Sequence, residues 1–344
     1  MRQIIFLPLL VACTGHAQYA GPESVEYDPV GDRYFVSCTD DNSIRQRAQD
    51  GTVSAFVVDA GGAPYGIELM GDTLFANVGG SVRGFRTSDG SMVSDLDLGA
   101  SFLTGLTTDG HFLYTTDFSN KTILKVDPVA GTFSTLVSNT VQTPNGIVFD
   151  PALNRLWVAC WGGNARIKSY DRESGAELSS YTTSLGNIDG ITLDCNGDIL
   201  VASWSPGRIT RFEPSFTAPA GTVVGTGLSS PADIDYDDVH HVVCVPNSGN
   251  NTVVLPEVTD CSTSVGGNGT YRTINAYPNP ADGRVRVDLP VSGPEPFLLM
   301  GPTGLLVGSG TLLPGGLLDV STLPVGTYVF DFTGLMRYVR VVKK

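Results

Sequence analysis

One short unit recurs through most of this chain, and no feature limits its fold more. A clear copy is Pro144-Asn145-Gly146-Ile147-Val148-Phe149-Asp150, followed by a polar turn and Leu156-Trp157-Val158-Ala159. Aligned on their last residue, the copies end at Asp28, Asp109, Asp150, Asp194 and Asp237, with a weaker copy ending at Met70. The successive intervals are 42, 39, 41, 44 and 43 residues. Apolar residues alternate inside each copy, which is strand periodicity. Asp-Gly and Asn-rich breaks separate the strands: Asp50-Gly51, Gly71-Asp72, Asp89-Gly90, Asp109-Gly110, Asn196-Gly197. Such residues accept the backbone angles that tight hairpins require.

A period near 40 with four short strands per unit is the pattern of a β-propeller. Six units predict an all-β, six-bladed ring. Neighbouring blades must stack, because a single blade cannot bury both its faces. Few residues lie between the export signal and Glu23, so the sixth blade has to take its outer strand from its own C-terminal side, within 257–273. After that the repeat stops. Gly266-Gly267-Asn268-Gly269 is a flexible break, and a terminal region follows with strands predicted at Arg284–Leu289, Pro296–Met300, Leu305–Val307, Leu317–Asp319, Gly326–Phe332 and Arg337–Val342. It reads as a small β-sandwich. The expected organisation is a signal peptide (1–17), the propeller (18–262), a linker with the end of the closing blade (263–273) and the terminal domain (274–344).

The start of the chain reads as an export signal. Arg2 precedes the short apolar run Ile4–Ala12, and Gly15 and Ala17 supply small residues for cleavage after Ala17. Leu10-Val11-Ala12-Cys13 offers a second reading, a lipobox that would lipidate Cys13. No other apolar run approaches the ~20 residues of a membrane helix. The net charge of -14 argues against nucleic acid and anionic membranes as partners. Without Cys13 five cysteines remain, so at least one stays unpaired. Cys244–Cys261, both in the closing blade, is one pairing the spacing allows. No cysteines have zinc-finger spacing.

The functional argument rests on the position five residues before each terminal residue: Glu23, Tyr65, Thr104, Asn145, Asp189 and Ala232. The first strand of a propeller blade is innermost. These positions should therefore meet at one mouth of the central channel, just ahead of that strand. Glu23, Asn145 and Asp189 carry hard oxygen donors, and crowded carboxylates repel unless protonated or bridged by a cation. Such a set suits Ca²⁺, with Mg²⁺ or Mn²⁺ as other choices. The competing reading is structural: Pro-x-Gly meets the demands of the turn, and Asn or Asp there caps backbone N–H groups. Trp161 and Trp204 share one repeat position just after the second strand. They read either as packing between blades or, with Tyr65 and Thr104, as a wall that contacts substrate. His111, His240 and His241 fall in turns, and Ser203 and Ser205 lack any nucleophile context.

Two resemblances add to this. The terminal domain resembles the C-terminal sorting domain of proteins exported by the Por, or type IX, secretion system of Bacteroidetes. The residues that carry it are Tyr277-Pro278-Asn279-Pro280, Gly304, the run Leu318–Phe330 with Gly326 and Tyr328, and the basic end Lys343-Lys344. The resemblance implies passage through the periplasm to the outer surface or medium, with the secretion machinery as partner. The propeller is similar to the family of senescence marker protein (regucalcin) and the gluconolactonases, more distantly to paraoxonases, and loosely to NHL-type propellers. Gly21-Pro22-Glu23, Pro144-Asn145-Gly146 and Ile188-Asp189-Gly190 match that family's metal motifs residue by residue. The resemblance implies a divalent cation on Glu23, Asn145 and Asp189, with Asp189 activating water for lactone or ester hydrolysis. The alternative is a non-catalytic ligand- or protein-binding propeller. Leu103 stands where the family has its substrate-binding asparagine, a departure that bears on the sugar-lactone substrate. A monomer acting on a small molecule of unknown identity is expected.

Overall fold

The computed structural model describes residues 18–218, 220–258, 272–273, 276–287, 295–301, 306–313, 317–332 and 337–344. Residues 1–17, where an export signal is expected, most of the expected linker and Cys261 lie outside the described residues. Five consecutive four-stranded antiparallel sheets span 22–57, 64–97, 103–137, 143–182 and 186–226, each ordered as in sequence or its mirror. A sixth sheet, 235–254, has three strands among the described residues. Glu257 pairs with Val242 as a continuation of the third strand of this sheet, so the outer strand expected from 257 onward does not start there. Among the described residues no helix is long and apolar enough to cross a membrane.

The six sheets are the blades of a closed ring. Six apolar cores show why. Each fills one seam between neighbouring blades: Phe35 and Ile44 meet Ile67 and Leu74, Leu200 and Ile209 meet Ile234 and Val243, and the last core joins Tyr27, Tyr34 and Cys38 of blade 1 to Val242 and Cys244 of blade 6. Polar contacts reinforce that last seam. Ser24 Oγ donates to Asp233 Oδ2, Tyr34 Oη to Asp237 Oδ2, and the Gly21 N–H to Asn251 Oδ1. Cys244 is buried in this core as a free thiol, so the Cys244–Cys261 pairing is not formed; Cys38 and Cys160 are also free and buried, and Cys195 is disulfide-bonded.

The repeat aspartate closes the hairpin after five of the six inner strands. Asp28 Oδ1 accepts the Val30 and Gly31 N–H groups, and Asp109 Oδ1 accepts those of His111 and Phe112. Asp150, Asp194 and Asp237 do the same for their turns. The glycine four residues earlier has a different cause from the one its turn suggested. A Cβ on Gly66, Gly105, Gly146 or Gly190 would lie 2.2–2.6 Å from the carbonyl oxygen of Thr104, Asn145, Asp189 or Ala232 on the next blade. These glycines are needed for close approach of inner strands.

The terminal region forms a five-stranded and a three-stranded sheet around one core that includes Val285, Leu318, Tyr328, Phe330 and Val341. Its first strand is Arg272–Thr273. Asn279 accepts from the Val342 N–H and donates to the Arg340 carbonyl, and the Lys344 N–H donates to Ala281. The Tyr-Pro-Asn-Pro motif and the lysine end are thus parts of one hydrogen-bonded edge.

Candidate functional site at one mouth of the channel

The six inner strands line the ring axis, and the expected positions do gather at one end of it. They lie inside the strands and not ahead of them: Glu23 in Pro22–Asp28, Tyr65 in Pro64–Met70, Thr104 in Leu103–Thr108, Asn145 in Thr143–Asp150 and Asp189 in Gly186–Leu193. At each, the pairing with the second strand slips. Such a bulge re-aims the side chain. The backbone is held from the neighbouring blade. Ser37 Oγ donates to the Tyr65 carbonyl, Asn77 Nδ2 to that of Thr104, and Thr116 Oγ1 to that of Asn145.

Asn145 and Asp189 are both buried, and the Asn145 amide donates to Asp189 Oδ1 at 2.8 Å. Burial drives the Asp189 carboxyl well above the usual carboxylate range. Repulsion from Glu23 adds to this, and hydrogen bonds from Trp204 and Asn145 oppose it. Glu23 is pushed up to about 7, by burial and then by Asp233. Asp233 reaches about 8 through burial and the charges of Asp189 and Asp235, against one hydrogen bond from Ser24. Thr104 is turned inward: its hydroxyl pairs with Thr116 at 3.0 Å. Ala232 is fully buried, and Leu103 packs in the core between blades 2 and 3.

Aromatic rings surround this mouth. Tyr65 meets Phe102 at 4.7 Å between centroids, Phe102 meets Phe118 at 5.6 Å, Phe118 meets Trp161 at 6.1 Å and Trp161 meets Trp204 at 4.9 Å, all edge-to-face. The arc crosses blades 2 to 5. Its ends reach the two acids: burial and Glu23 raise the Tyr65 phenol, and Trp204 hydrogen-bonds Asp189. Trp204 is 39% exposed. The sequence reading named three of the five rings. Phe118 occupies the same repeat position as Trp161 and Trp204, so the signal was present. Phe102 precedes its strand and has no counterpart in the other copies.

Deeper in the channel a second set of acids was also missed, although it forms another column of the same repeat. Two residues before the repeat aspartate stand Glu26, Glu68, Thr107, Val148, Thr192 and Asp235. They line a cavity of about 30 Å³, room for roughly one water molecule. Several bind the next inner strand: Glu26 accepts the Leu69 N–H, Thr107 that of Phe149 and Asp235 that of Tyr27. Burial holds Glu26 and Glu68 well above the usual range, with added repulsion from Glu68 and Asp235 on Glu26 and from Asp235 and Asp233 on Glu68, and burial raises Asp235 to about 7. A larger cavity, about 460 Å³, lies at the rim between blades 5 and 6; no titratable side chain lines it.

Among the described residues no three carboxylate, imidazole or thiol groups converge tightly enough to ligate one ion by themselves. A cation at the mouth therefore needs the Asn145 amide oxygen and water beside Glu23 and Asp189. The donors fit that role. Asn145 is bonded through its nitrogen, which leaves its oxygen available, and Glu23 and Asp189 repel each other without a cationic partner.

No family model matches the sequence, and no curated protein does. Solved structures do match. A catalytically inactive virginiamycin B lyase from Staphylococcus aureus, crystallised with quinupristin, is 17% identical; the match covers 66% of this chain and 78% of that one, with a TM-score of 0.52. A chain of a nidogen/laminin complex is 15% identical over 66% of this chain and 94% of that one, with a TM-score of 0.53. At such identities the likeness establishes the propeller fold.

Proposed function

We propose that this chain is an exported propeller that holds a divalent cation, Ca²⁺ foremost, at the channel mouth and hydrolyses a lactone or ester there. The observation that carries the reading is the meeting of Glu23, Asn145 and Asp189 on three separate blades, with charge that no basic side chain among the described residues neutralises. Those three residues would hold the ion. When bound, it would polarise a carbonyl as a Lewis acid. The chain's own chemistry is that of Asp189. As a carboxylate beside the bound ion, Asp189 would take the proton from the attacking water as general base. Trp204 and Asn145 orient its carboxylate, and the aromatic arc excludes water on the side of blades 2 to 5. Export through the type IX route rests on the terminal motifs and the basic end that docks against them.

Thermal unfolding of the full chain tests the cation. Millimolar Ca²⁺ is expected to raise Tm, and Asn145→Ala should abolish the gain; no response to Ca²⁺, Mg²⁺ or Mn²⁺ would remove the site. A panel of lactones and aryl esters tests the chemistry, with Asp189→Ala expected to lose turnover. Equal turnover by wild type and Asp189→Ala would leave a non-catalytic binding propeller, the second reading, which Leu103 at the substrate-asparagine position favours.

A further inference from the structure

We infer that the aromatic arc at this mouth is a recognition site for a small organic cation, an ammonium group carried on an alkyl or aryl ligand. The inference concerns the same mouth as the proposed metal site but does not need the metal.

Three observations carry it. The first is the arc. Five rings on four blades touch edge to face, from Tyr65 to Trp204, although the repeat asks only for a residue that spans the seam. A greasy seam needs no such continuity at a partly exposed mouth. Aromatic faces attract cations, and tryptophan does so best. The second is the position of the acids. Glu23 lies near one end of the arc and Asp189 accepts from Trp204 at the other. Among the described residues no protein donor hydrogen-bonds the Glu23 side chain, which leaves one carboxylate open to a ligand.

The third is charge complementarity over the whole face. The loops that surround this mouth join second to third strands and outer strands to the next inner ones. They run over 39–42, 58–63, 79–80, 98–102, 118–121, 138–142, 162–165, 183–185, 205–206, 227–230 and 248–251. Glycine, asparagine, serine and threonine dominate them. They contain Asp40, Asp41 and Asp59, and their one basic residue is Lys121, whose Nζ bonds the Val141 carbonyl. The basic side chains that reach these loops from the adjoining strands are already engaged: Arg45 pairs with Asp41, Arg83 holds the Ala60 carbonyl and Asp95, and Lys168 holds the Thr140 carbonyl and Glu177. A phosphate or carboxylate ligand would meet Glu23 and Asp189 at the mouth itself. A neutral sugar could stack on the rings, but it would leave the acids uncompensated. An ammonium head satisfies both the rings and the carboxylates.

The test uses the full chain in buffer with chelator and no divalent ion. Choline is titrated against its neutral isostere, 3,3-dimethyl-1-butanol, and tryptophan emission is followed. Choline is expected to bind about tenfold more tightly than the alcohol, or ~1.4 kcal/mol. Trp204→Leu, at the exposed end of the arc, should abolish the preference while circular dichroism stays unchanged. Phe118→Leu is the second variant, with the same expectation. Equal affinity for choline and the alcohol, or binding of neither, overturns the inference. So does a preference that survives in both variants. Because the titration contains no divalent ion, its failure leaves the Ca²⁺ stabilisation standing, and loss of that stabilisation leaves choline binding standing.

Discussion

The two ends of the inner strands carry the same kind of residue in opposite circumstances. At one end Asp109 accepts two backbone N–H groups, the Tyr114 hydroxyl and Arg172. Burial pushes its carboxyl up, yet those partners outweigh burial and hold it below the usual range. Asp28 has Arg33, and Asp194 has Arg211 at 2.8 Å. At the other end Asp189 of blade 5 and Glu23 of blade 1 repel each other at the channel mouth, and among the described residues no basic side chain pairs with either. The lesson is that burial does not separate a structural acid from a functional one. The difference lies in whether the fold supplies the compensating donors itself.

The sharpest way to break this comparison is to neutralise one acid at each end. Asp109→Ala leaves Arg172 with Asn154 and Glu173 but frees two backbone N–H groups and the Tyr114 hydroxyl in a buried turn. Leaving buried donors unpaired costs roughly 1–3 kcal/mol, so urea unfolding should show a loss of that order. Asp189→Asn should have the opposite sign. Without divalent ions at pH 8 it relieves repulsion with Glu23 and is expected to stabilise by on the order of 1 kcal/mol. With saturating Ca²⁺ the order should reverse, because the variant lacks a ligand. If both substitutions destabilise the metal-free protein equally, the distinction between the two ends collapses.

Their pH dependence should differ in the same way. Glu23 and Asp235 are raised to about 7 and Asp233 to about 8. Between the ordinary carboxylate range and these values the folded chain holds more protons than the unfolded one. Stability from this group is complete at low pH and is lost as pH rises through 7 to 8. Asp109 runs the other way, because its folded carboxyl is the stronger acid. Its contribution is present above the ordinary range and fades as pH falls. The metal-free chain is therefore expected to show highest Tm on the acid side of neutrality and to weaken toward pH 8, and Ca²⁺ should flatten that decline. A Tm that rises steadily to pH 8 without cation would contradict the acid string in the channel.

Much of this was legible in the sequence because a repeat samples one environment six times. The interval near 40 residues yields the blades, and one column of the alignment yields Glu23, Asn145 and Asp189. What stayed hidden falls outside that logic. Phe102 lies ahead of its strand and matches nothing in the other copies. Gly66, Gly105, Gly146 and Gly190 looked like turn residues, yet the reason for them is a carbonyl on the next blade, which no local pattern encodes. Cys244 seemed a partner for Cys261 because both lie near the closing blade, whereas its side chain faces blade 1. The column of Glu26, Glu68 and Asp235 was readable. It was passed over because alternating polar residues on a strand ordinarily mean solvent.

The smallest effect sits where the two ends share a seam. Tyr34 of blade 1 donates to Asp237 of blade 6 at 2.6 Å, and this closes the ring at its satisfied end. Asp237 retains the Val239 and His240 N–H groups and the His240 imidazole. Tyr34→Phe removes one hydrogen bond and leaves the acceptor supplied, so the loss should be about 1 kcal/mol. The same seam at the mouth rests on the bond from Ser24 Oγ to Asp233, an acid whose neighbours repel it. Ser24→Ala takes away one of the few donors there and exposes Asp233 to that repulsion. Its cost should grow as pH rises from 6 to 8, whereas that of Tyr34→Phe should stay constant. Parallel pH profiles for the two variants would mean that the seam is electrostatically uniform and that the contrast between the two ends stops short of the ring closure.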